Sequence, residues 1–457
     1  MSWSARPADL PVPRNARPAA SPVTPPRGHG AEPAITLREH APARSVPLDA
    51  AAGRALAASG VLESATPDPE RPGHWLLRAG SRVGAVRVPL PAASPPATAP
   101  AARPRGALTL RIVPKTPVRR LFFLLGFSLD PARAWRQGRD GTVDVGAHQE
   151  VVPALAYAVE RQIDHALRQG ILQGYRRVEE SALVLRGRVR EAEQIRRHFG
   201  RTPPVEIAYD AYTSDIPENR ILRAACEVLL RLPDVPGDVR RRLNHQRVRL
   251  ADAAPLVRGR GLPGWTPSRL NARYRPALQL SEAVLRGTSP EHRPGELPLH
   301  GFLFDMNVLF EDFITGALRE ALREHGLVGR LQDPHHLDTA RSIRMRPDLV
   351  VHQPDGRTPV AVVDAKYKAE KAGAYPSADL YQMLAYCTVL GLGEGHLVYA
   401  AGQHGERIHE VRGSRRPGDP SGVRLHQHVV DLDREPSELL AWFGDLSARL
   451  VADHYRR

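Results

Sequence analysis

Lysine is scarce in this sequence. Of its 64 basic residues only four are lysines, at positions 115, 366, 368 and 371, and the others are arginines. The two side chains differ chemically, because only the compact lysine ammonium readily loses its proton when it is desolvated. Lys366, which stands next to carboxylates in the sequence, is therefore a candidate for chemistry. Lys368 and Lys371 are equally well explained as solvated lysines.

Cysteine is nearly absent as well. The two cysteines, Cys226 and Cys387, both lie in apolar helical patterns, which predicts core residues of a reduced protein. Such a pair excludes a disulfide framework and a CxxC metal site. His335-His336 is a weak zinc signal without cysteines or a spaced carboxylate pair, and we expect solvated loop histidines there.

Long apolar runs are missing too. No run reaches the roughly 18 residues that indicate a membrane span, and the first residues are rich in proline, alanine and arginine instead of forming a hydrophobic signal core. We therefore expect a cytoplasmic protein with no membrane partner.

The sequence contains no Gly-Lys dipeptide. A Walker A loop requires this dipeptide, because its lysine reaches the nucleotide phosphates. The chain therefore lacks this means of hydrolysing GTP or ATP. If it works in a nucleotide-driven machine, a separate chain must supply the motor.

Positive charge is abundant by contrast. The formal net charge is +14 and the pI is about 10.3, which suits a polyanionic partner such as DNA. Residues 239–275 are especially rich in arginine, with Trp265 and Tyr274 interleaved, and predict a surface that pairs with phosphates and stacks on bases. A solvated helical face with this chain's usual arginines is the alternative.

The most informative stretch is a predicted β-hairpin. Residues 346–351 and 360–367 are apolar and β-branched, which predicts strands, and Pro354-Asp355-Gly356 between them favours a turn. Side chains alternate along a strand, so Asp364 and Lys366 share one side. The antiparallel return places Asp348 roughly opposite residues 361–364. Two carboxylates and one ammonium thus converge at one end of the hairpin.

Burying such a trio without a partner costs several kcal/mol. Carboxylates, waters and a strand carbonyl such as that of Ala365 are ligands that Mg²⁺ prefers. A bound metal can lower the pKa of an attacking water and neutralise phosphoryl charge, and the lysine can orient or deprotonate that water or stabilise negative charge. The trio of Asp348, Asp364 and Lys366 therefore predicts phosphodiester hydrolysis, with a surface salt bridge as the alternative.

Two predicted helices flank the hairpin. The first runs from about Met306 to His325 and carries Glu311, which is either a further metal ligand or a solvated residue favoured by the helix dipole. The second follows Ser377 as a plausible N-cap and extends to Leu390. In it, Gln382 and Tyr386 are four residues apart and share a face, which predicts support for the lysine or the DNA backbone. A partly exposed polar stripe is the alternative.

Glu311, Pro347-Asp348, Asp364-Ala365-Lys366 and Gln382-x-x-x-Tyr386 together resemble the PD-(D/E)xK nuclease core in the variant with a QxxxY helix. More closely, the chain resembles the McrC family, the nuclease subunits of McrBC modification-dependent restriction systems. This resemblance covers roughly residues 110–455.

The resemblance implies an endonuclease that cuts DNA when assembled with a separate AAA+ GTPase, McrB-like, which recognises methylated cytosine and translocates. Asp348, Asp364 and Lys366 match the family's catalytic positions. Glu311 and Gln382 match supporting positions. A RecB-like repair nuclease that acts alone, and a non-catalytic adaptor that binds and stimulates the GTPase, are the alternative functions.

The expected fold class is α/β. We predict a disordered tail (1–34), a small β-rich domain (35–115) and a mainly helical middle region that contacts partner and DNA (116–296). A PD-(D/E)xK domain with a mixed central sheet flanked by helices follows (297–457). Residues 90–105 form a predicted loop, and Leu183-Val184-Leu185 a predicted strand.

Overall fold

The computed structural model describes residues 34–90, 107–139, 150–257, 261–287, 300–367, 377–400, 406–412 and 422–455. The predicted disordered tail lies almost wholly outside the described residues. Lys368, Lys371 and most of the predicted loop between residues 90 and 105 lie outside them too.

The helices of the described residues follow the apolar periodicity of the sequence. In chain order they are α1 (Ala50–Ala58), α2 (Val118–Leu129), α3 (Pro131–Arg139), α4 (Val151–Leu167), α5 (Glu191–His198), α6 (Pro217–Leu229), α7 (Gly237–Arg249), α8 (Arg275–Gly287), α9 (Met306–Arg323), α10 (Ser377–Leu390) and α11 (Pro436–Tyr455).

The strands are mostly short; three of them lie in the middle of the chain and the others towards its two ends. They are β1 (Ala34–Arg38), β2 (Arg44–Pro47), β3 (Ser64–Pro67), β4 (His74–Arg78), β5 (Arg82–Pro89), β6 (Ala107–Val113), β7 (Gly174–Ala182), β8 (Arg188–Val189), β9 (Val205–Thr213), β10 (His300–Asp305), β11 (Val328–Leu331), β12 (His335–His336), β13 (Arg344–Met345), β14 (Leu349–His352), β15 (Pro359–Lys366), β16 (Glu394–Ala400), β17 (Arg407–Glu410) and β18 (Arg424–Val430). The molecule is a mixed α/β protein, as predicted.

The N-terminal segment forms two sheets. One has the order β1-β6-β5-β10, with β1 and β6 parallel and the other neighbours antiparallel. The other, β2-β4-β3, is antiparallel. Helix α1 was not expected, because an alanine-rich segment is inconspicuous in an alanine-rich chain; Asp49 caps it by accepting a hydrogen bond from the Ala52 amide at 2.7 Å.

Strand β10 connects the two ends of the chain. It follows residue 297, where the predicted nuclease domain begins, yet it pairs with β5 of the N-terminal sheet from His300 opposite Arg87 to Asp305 opposite Arg82. A single apolar cluster continues from this sheet through α2 and α9 to the C-terminal sheet. The N-terminal segment is therefore packed directly against the part of the chain that carries the hairpin.

The middle of the chain combines helices with a small exposed sheet of order β7-β9-β8. The predicted strand at Leu183-Val184-Leu185 is wrong. These three residues follow the end of β7 and are 80%, 75% and 61% exposed. The polar segment Gly174–Ala182 is the strand instead, because its pairing with β9, and not an apolar alternation of its own, fixes it.

The C-terminal sheet has six strands in the order β11-β14-β15-β16-β18-β17. β14 and β15 are antiparallel, and β15, β16 and β18 run parallel. Helix α10 covers one face, where Met383 and Cys387 pack with Val362 and Leu397. Helices α9 and α11 cover the other face. No helix in the described ranges is both long enough and apolar enough to cross a membrane.

Candidate active site

The predicted hairpin is confirmed and carries the central residues. Leu349 pairs with Val363, and the same antiparallel register continued by one residue places Asp348 opposite Asp364. The Ala365 amide donates a hydrogen bond of 2.9 Å to Oδ2 of Asp348. The turn contains Gly356 at a φ of +66°, a conformation that glycine adopts without strain.

Lys366 lies on the same side of β15 as Asp364, as the alternation predicted. Its Nζ forms an ion pair with Oδ2 of Asp364. Burial by itself lowers the pKa of Lys366, but the neighbouring carboxylates, Asp364 first, more than offset this, and the net pKa is raised above its ordinary value. The lysine is therefore a fixed positive charge at neutral pH, half-buried at the end of the strand.

Glu311 joins this group from α9, on a different part of the chain. Its carboxylate accepts a hydrogen bond from the amide of Gln332, and the same Gln332 Nε2 donates to Oδ1 of Asp348 at 3.2 Å. Burial, then Asp312 and Asp364, raises the pKa of Glu311. The interpretation of Glu311 as a purely solvated helix residue is thus not what the structure shows.

Gln332 was not a candidate on the basis of the sequence. It follows β11, and its backbone amide donates a hydrogen bond of 3.0 Å to the backbone carbonyl of Asp348. Its φ is +50°, an uncommon conformation for a residue other than glycine. Such backbone strain persists only where surrounding contacts hold it. Here the strain lets one side-chain amide reach two carboxylates. No residue pattern at this position could have revealed that, because both partners are distant in sequence.

The carboxylates of Glu311, Asp348 and Asp364 together carry more negative charge than the single ammonium of Lys366 can neutralise. Burial, together with the charges of Asp364 and Glu311, raises the pKa of Asp348 to about 8. Asp364 is 1% exposed, and Lys366 is the cation that its carboxylate contacts. Oxygen atoms so arranged are suited to a hard divalent cation, which is the most direct way to stabilise several buried carboxylates together.

Helix α10 places the predicted Gln382 and Tyr386 beside this group. Gln382 is exposed and donates a hydrogen bond of 2.8 Å to the hydroxyl of Tyr386, which is 3% exposed. Burial and then the charge of Asp364 raise the pKa of Tyr386 to about 12. Among the described residues Gln382 makes no hydrogen bond to Lys366; it orients the tyrosine instead.

The strand that carries the site is also anchored to the N-terminal sheet. Tyr367, directly after Lys366, donates a hydrogen bond of 2.7 Å to Oε1 of Glu39, and the Lys115 amide donates to the same oxygen at 2.6 Å. Burial raises the pKa of Glu39. This contact fixes the end of β15 relative to β1 and β6.

The arginine-rich segment differs from the prediction. Tyr274 is fully buried, and its hydroxyl accepts a hydrogen bond from the Leu172 amide at 2.8 Å, so stacking of this ring on bases is excluded. Trp265 is partly buried and donates to Glu282 at 2.6 Å. Arg242 forms an ion pair of 3.0 Å with Glu160. Much of the arginine content here stabilises the helices.

His335 and His336 lie in a short strand, β12, and not in a loop. His335 contacts Asp333 at 3.1 Å, and both histidines are half-buried. The buried free cysteines Cys226 and Cys387 confirm the prediction of core residues.

One comparison with known proteins identifies the family. A family model described as "McrBC 5-methylcytosine restriction system component" matches residues 97–400. No match was found among curated proteins.

Two solved structures of the Thermococcus gammatolerans proteins are similar to this chain. One is the refined half-complex from the tetradecameric assembly of McrB AAA+ hexamers with bound McrC. The matching chain is 18% identical, with a TM-score of 0.51, over 90% of this chain and 99% of that one. The other is the McrBC complex determined by cryo-electron microscopy, at 20% identity and a TM-score of 0.36 over 63% and 88%. At these identities the first structure supports the fold alone, and the second, with its lower TM-score, supports no conclusion.

Proposed function

This chain belongs to the family of McrBC 5-methylcytosine restriction system components, and we propose that it is the DNA-cutting subunit of such a system. In this proposal it is a metal-dependent endodeoxyribonuclease that hydrolyses phosphodiester bonds of methylated foreign DNA in the cytoplasm. Residues 297–457 would form its PD-(D/E)xK domain, and residues 116–296 would contact partner and DNA.

One observation carries the proposal. Glu311, Asp348 and Asp364 come from a helix and two strands, and they converge beside the ammonium of Lys366. A purely structural cluster would pair each carboxylate with its own cation. Here three carboxylates share one lysine, and the pKa of Asp348 is raised to about 8 as a result of burial and repulsion.

We assign Asp348, Asp364 and Glu311 to holding the metal. When bound, Mg²⁺ would supply charge neutralisation at the phosphoryl oxygens and a more acidic water. Family membership supports a divalent metal in general; the choice of Mg²⁺ is ours, because the ligand set is all oxygen and hard.

Lys366 has a different role. Its pKa is raised, since the attraction of Asp364 outweighs the effect of burial, so it holds its proton at neutral pH. It therefore acts as an electrostatic group that orients the phosphate and stabilises negative charge on it, and not as the base. Tyr386, oriented by Gln382, lies beside the same carboxylates and would restrict where the DNA backbone lies.

The motor would be a separate protein. This chain has no Gly-Lys dipeptide and hence no Walker A loop, and the solved structure of similar fold is described as McrB AAA+ hexamers with bound McrC. We propose that an McrB-like AAA+ GTPase assembles with this chain, and that cutting and the choice of 5-methylcytosine depend on that assembly.

The test is cleavage of methylated and unmethylated plasmid DNA by the chain alone and with its candidate GTPase, with and without GTP and Mg²⁺. We expect cutting only in the complete mixture with methylated DNA. Asp364→Asn and Lys366→Ala should each lower the cutting rate by about 100-fold or more, the typical effect of removing a group that stabilises transition-state charge. Asp445→Asn, on an exposed position of α11, is the matched control and should cut normally.

The other outcomes identify the alternatives. Cutting by the isolated chain without GTP would favour a RecB-like nuclease that acts alone. No cutting in any mixture, with GTP hydrolysis still stimulated, would favour the non-catalytic adaptor. Normal cutting by Asp364→Asn would refute the site itself.

A further inference from the structure

Three histidines meet on the C-terminal sheet, away from the carboxylates. His396 lies on β16, and His426 and His428 lie two residues apart on the neighbouring strand β18, with His396 directly opposite His426. Because alternate residues share a face, all three side chains lie on the same face of the sheet. One nitrogen from each ring lies within 4.8 Å of the others.

This face is the one opposite to the candidate active site. His396 and His428 lie two residues before Val398 and Val430 on their strands, so they share a face of the sheet with these valines, which pack in the cluster of α9 and α11. On this face the ring of His428 packs edge-on against that of Trp442 of α11, with 6.4 Å between the ring centroids. Asp364 and Lys366 occupy alternate positions with Val362 along β15 and share the other face of the sheet with it, where Val362 packs under α10. The histidine cluster therefore lies apart from the proposed magnesium ligands.

The three histidine side chains are largely buried. His396 is 3% and His428 5% exposed, and the side chain of His426 is 13% exposed. Nδ1 of His396 and Nε2 of His428 face each other at 3.1 Å, whereas Nε2 of His426 and Nδ1 of His428 face Glu394 and Glu406.

Carboxylates lie on the outer side of two of the rings. Oε2 of Glu394 is 3.5 Å from Nε2 of His426, and Oε1 of Glu406 is 3.7 Å from Nδ1 of His428. Glu394 is paired with Arg424, and Glu406 with Arg449 at 3.5 Å. In metal sites the outer nitrogen of a ligating histidine commonly faces such a carboxylate, which fixes the tautomer and the orientation of the ring.

We propose that His396, His426 and His428 form a binding site for a transition-metal ion, with Zn²⁺ as the expected occupant. The ligand atoms would be the inward nitrogens, Nδ1 of His396, Nε2 of His428 and Nδ1 of His426. Glu394 and Glu406 would orient the outer nitrogens, and water would complete the tetrahedron. Zinc favours imidazole, whereas Mg²⁺ prefers oxygen, so the two sites select different ions.

The orientations of the three rings must change when the ion binds. The rings stack nearly parallel. Zn–N bonds of about 2.1 Å place ligand nitrogens about 3.4 Å apart, so binding requires each ring to turn until its in-plane lone pair points at the ion.

The site would connect β16 and β18 under α11. It would thus be a structural site that stabilises the sheet, and not a second catalytic centre. The pair His335-His336 is conspicuous in the sequence and this cluster is not, although a His-x-His pattern on a strand places two imidazoles on one face. The third ligand comes from a strand pairing that the sequence did not reveal.

The test uses the full chain after removal of metal by a chelator. Zinc content by mass spectrometry, Zn²⁺ titration calorimetry and the visible absorption of added Co²⁺ report binding without reference to DNA cutting. We expect one zinc per chain, a higher midpoint of thermal unfolding with Zn²⁺, and at least about tenfold weaker binding in His396→Gln and His428→Gln, since each loses a ligand.

Two controls separate this site from others. His409→Gln removes a histidine of β17 that faces the other side of the sheet, where it contacts Gln427, and should leave zinc binding unchanged. Asp364→Asn, which disables the proposed nuclease site, should also retain zinc.

If a buried variant does not fold, the more exposed His426→Gln replaces it. Its loss of the Co²⁺ absorption that the wild-type chain shows would support the site. Zinc binding of wild-type strength in His428→Gln or His426→Gln, or no zinc binding by the wild-type chain, would overturn the proposal.

Discussion

Binding of Mg²⁺ should release a proton from Asp348. The pKa of this carboxyl is raised to about 8 by burial, by Asp364 and by Glu311, so in the absence of a cation it is mostly protonated at neutral pH. A metal ion binds the ionised carboxylate, and the proton must leave as it binds. We expect release of most of one proton per chain at pH 7 and of much less at pH 9, because the carboxyl is largely protonated below its pKa and largely ionised above it.

The same shift sets the pH dependence of affinity and stability. Below pH 8 the apparent Mg²⁺ affinity should fall about tenfold per pH unit. Without Mg²⁺ the folded chain keeps a proton that the unfolded chain has released above about pH 4. The contribution of Asp348 to the free energy of unfolding therefore decreases as the pH rises towards 8, and added Mg²⁺ should restore it.

The assay is Mg²⁺ titration calorimetry at pH 7 and pH 9, each in two buffers of different ionisation enthalpy. The difference in observed heat between buffers gives the number of protons released. Asp364→Asn should lose Mg²⁺ binding, whereas Asp445→Asn should titrate as the wild type does. Tight Mg²⁺ binding at pH 7 with no proton release would refute the assignment of Asp348 as a buried, protonated ligand.

Three further changes test the surroundings of the site. Gly395→Ala should destabilise the chain by about 1–3 kcal/mol, because the added Cβ would lie 2.6 Å from Sγ of Cys387. Chemical denaturation measures the free energy of unfolding, and an unchanged value would show that α10 moves freely. Tyr367→Phe leaves the buried Glu39 with one hydrogen-bond donor fewer and should cost about 1–3 kcal/mol by the same measurement, while a neutral result would mean that water replaces the hydroxyl. Tyr386→Phe should slow DNA cutting without altering Mg²⁺ binding, and a loss of Mg²⁺ binding instead would place the hydroxyl at the metal.

Local pattern determined the hairpin and the helices beside it. Alternating β-branched residues around a Pro-Asp-Gly turn determined which side chains of β15 share a face. Helix α9 begins at Met306 as predicted, and α10 begins at Ser377, the residue that was predicted to cap it. These features depend on neighbours a few residues apart, which is why the spacing of Asp364 and Lys366 could be interpreted directly.

Only the tertiary structure decided the contacts between distant segments. Gln332 reaches Glu311 and Asp348 because β11 pairs with β14, an arrangement that no local pattern encodes. In the same way, Tyr274 proved to be a core residue, since helices from elsewhere bury it, although its arginine neighbours suggested a nucleic-acid surface.

The sequence by itself thus determined which reactive groups are present: two carboxylates and one of the few lysines at one end of a hairpin. It also showed that the sequence has no Walker A loop. The fold decided the environment. It added Glu311, withdrew the carboxylates from water and so raised the pKa of Asp348, and it brought His396 against the histidines of β18. The physical reason is that side-chain identity and local geometry are written along the chain, whereas burial, charge repulsion and the meeting of strands arise from non-local packing.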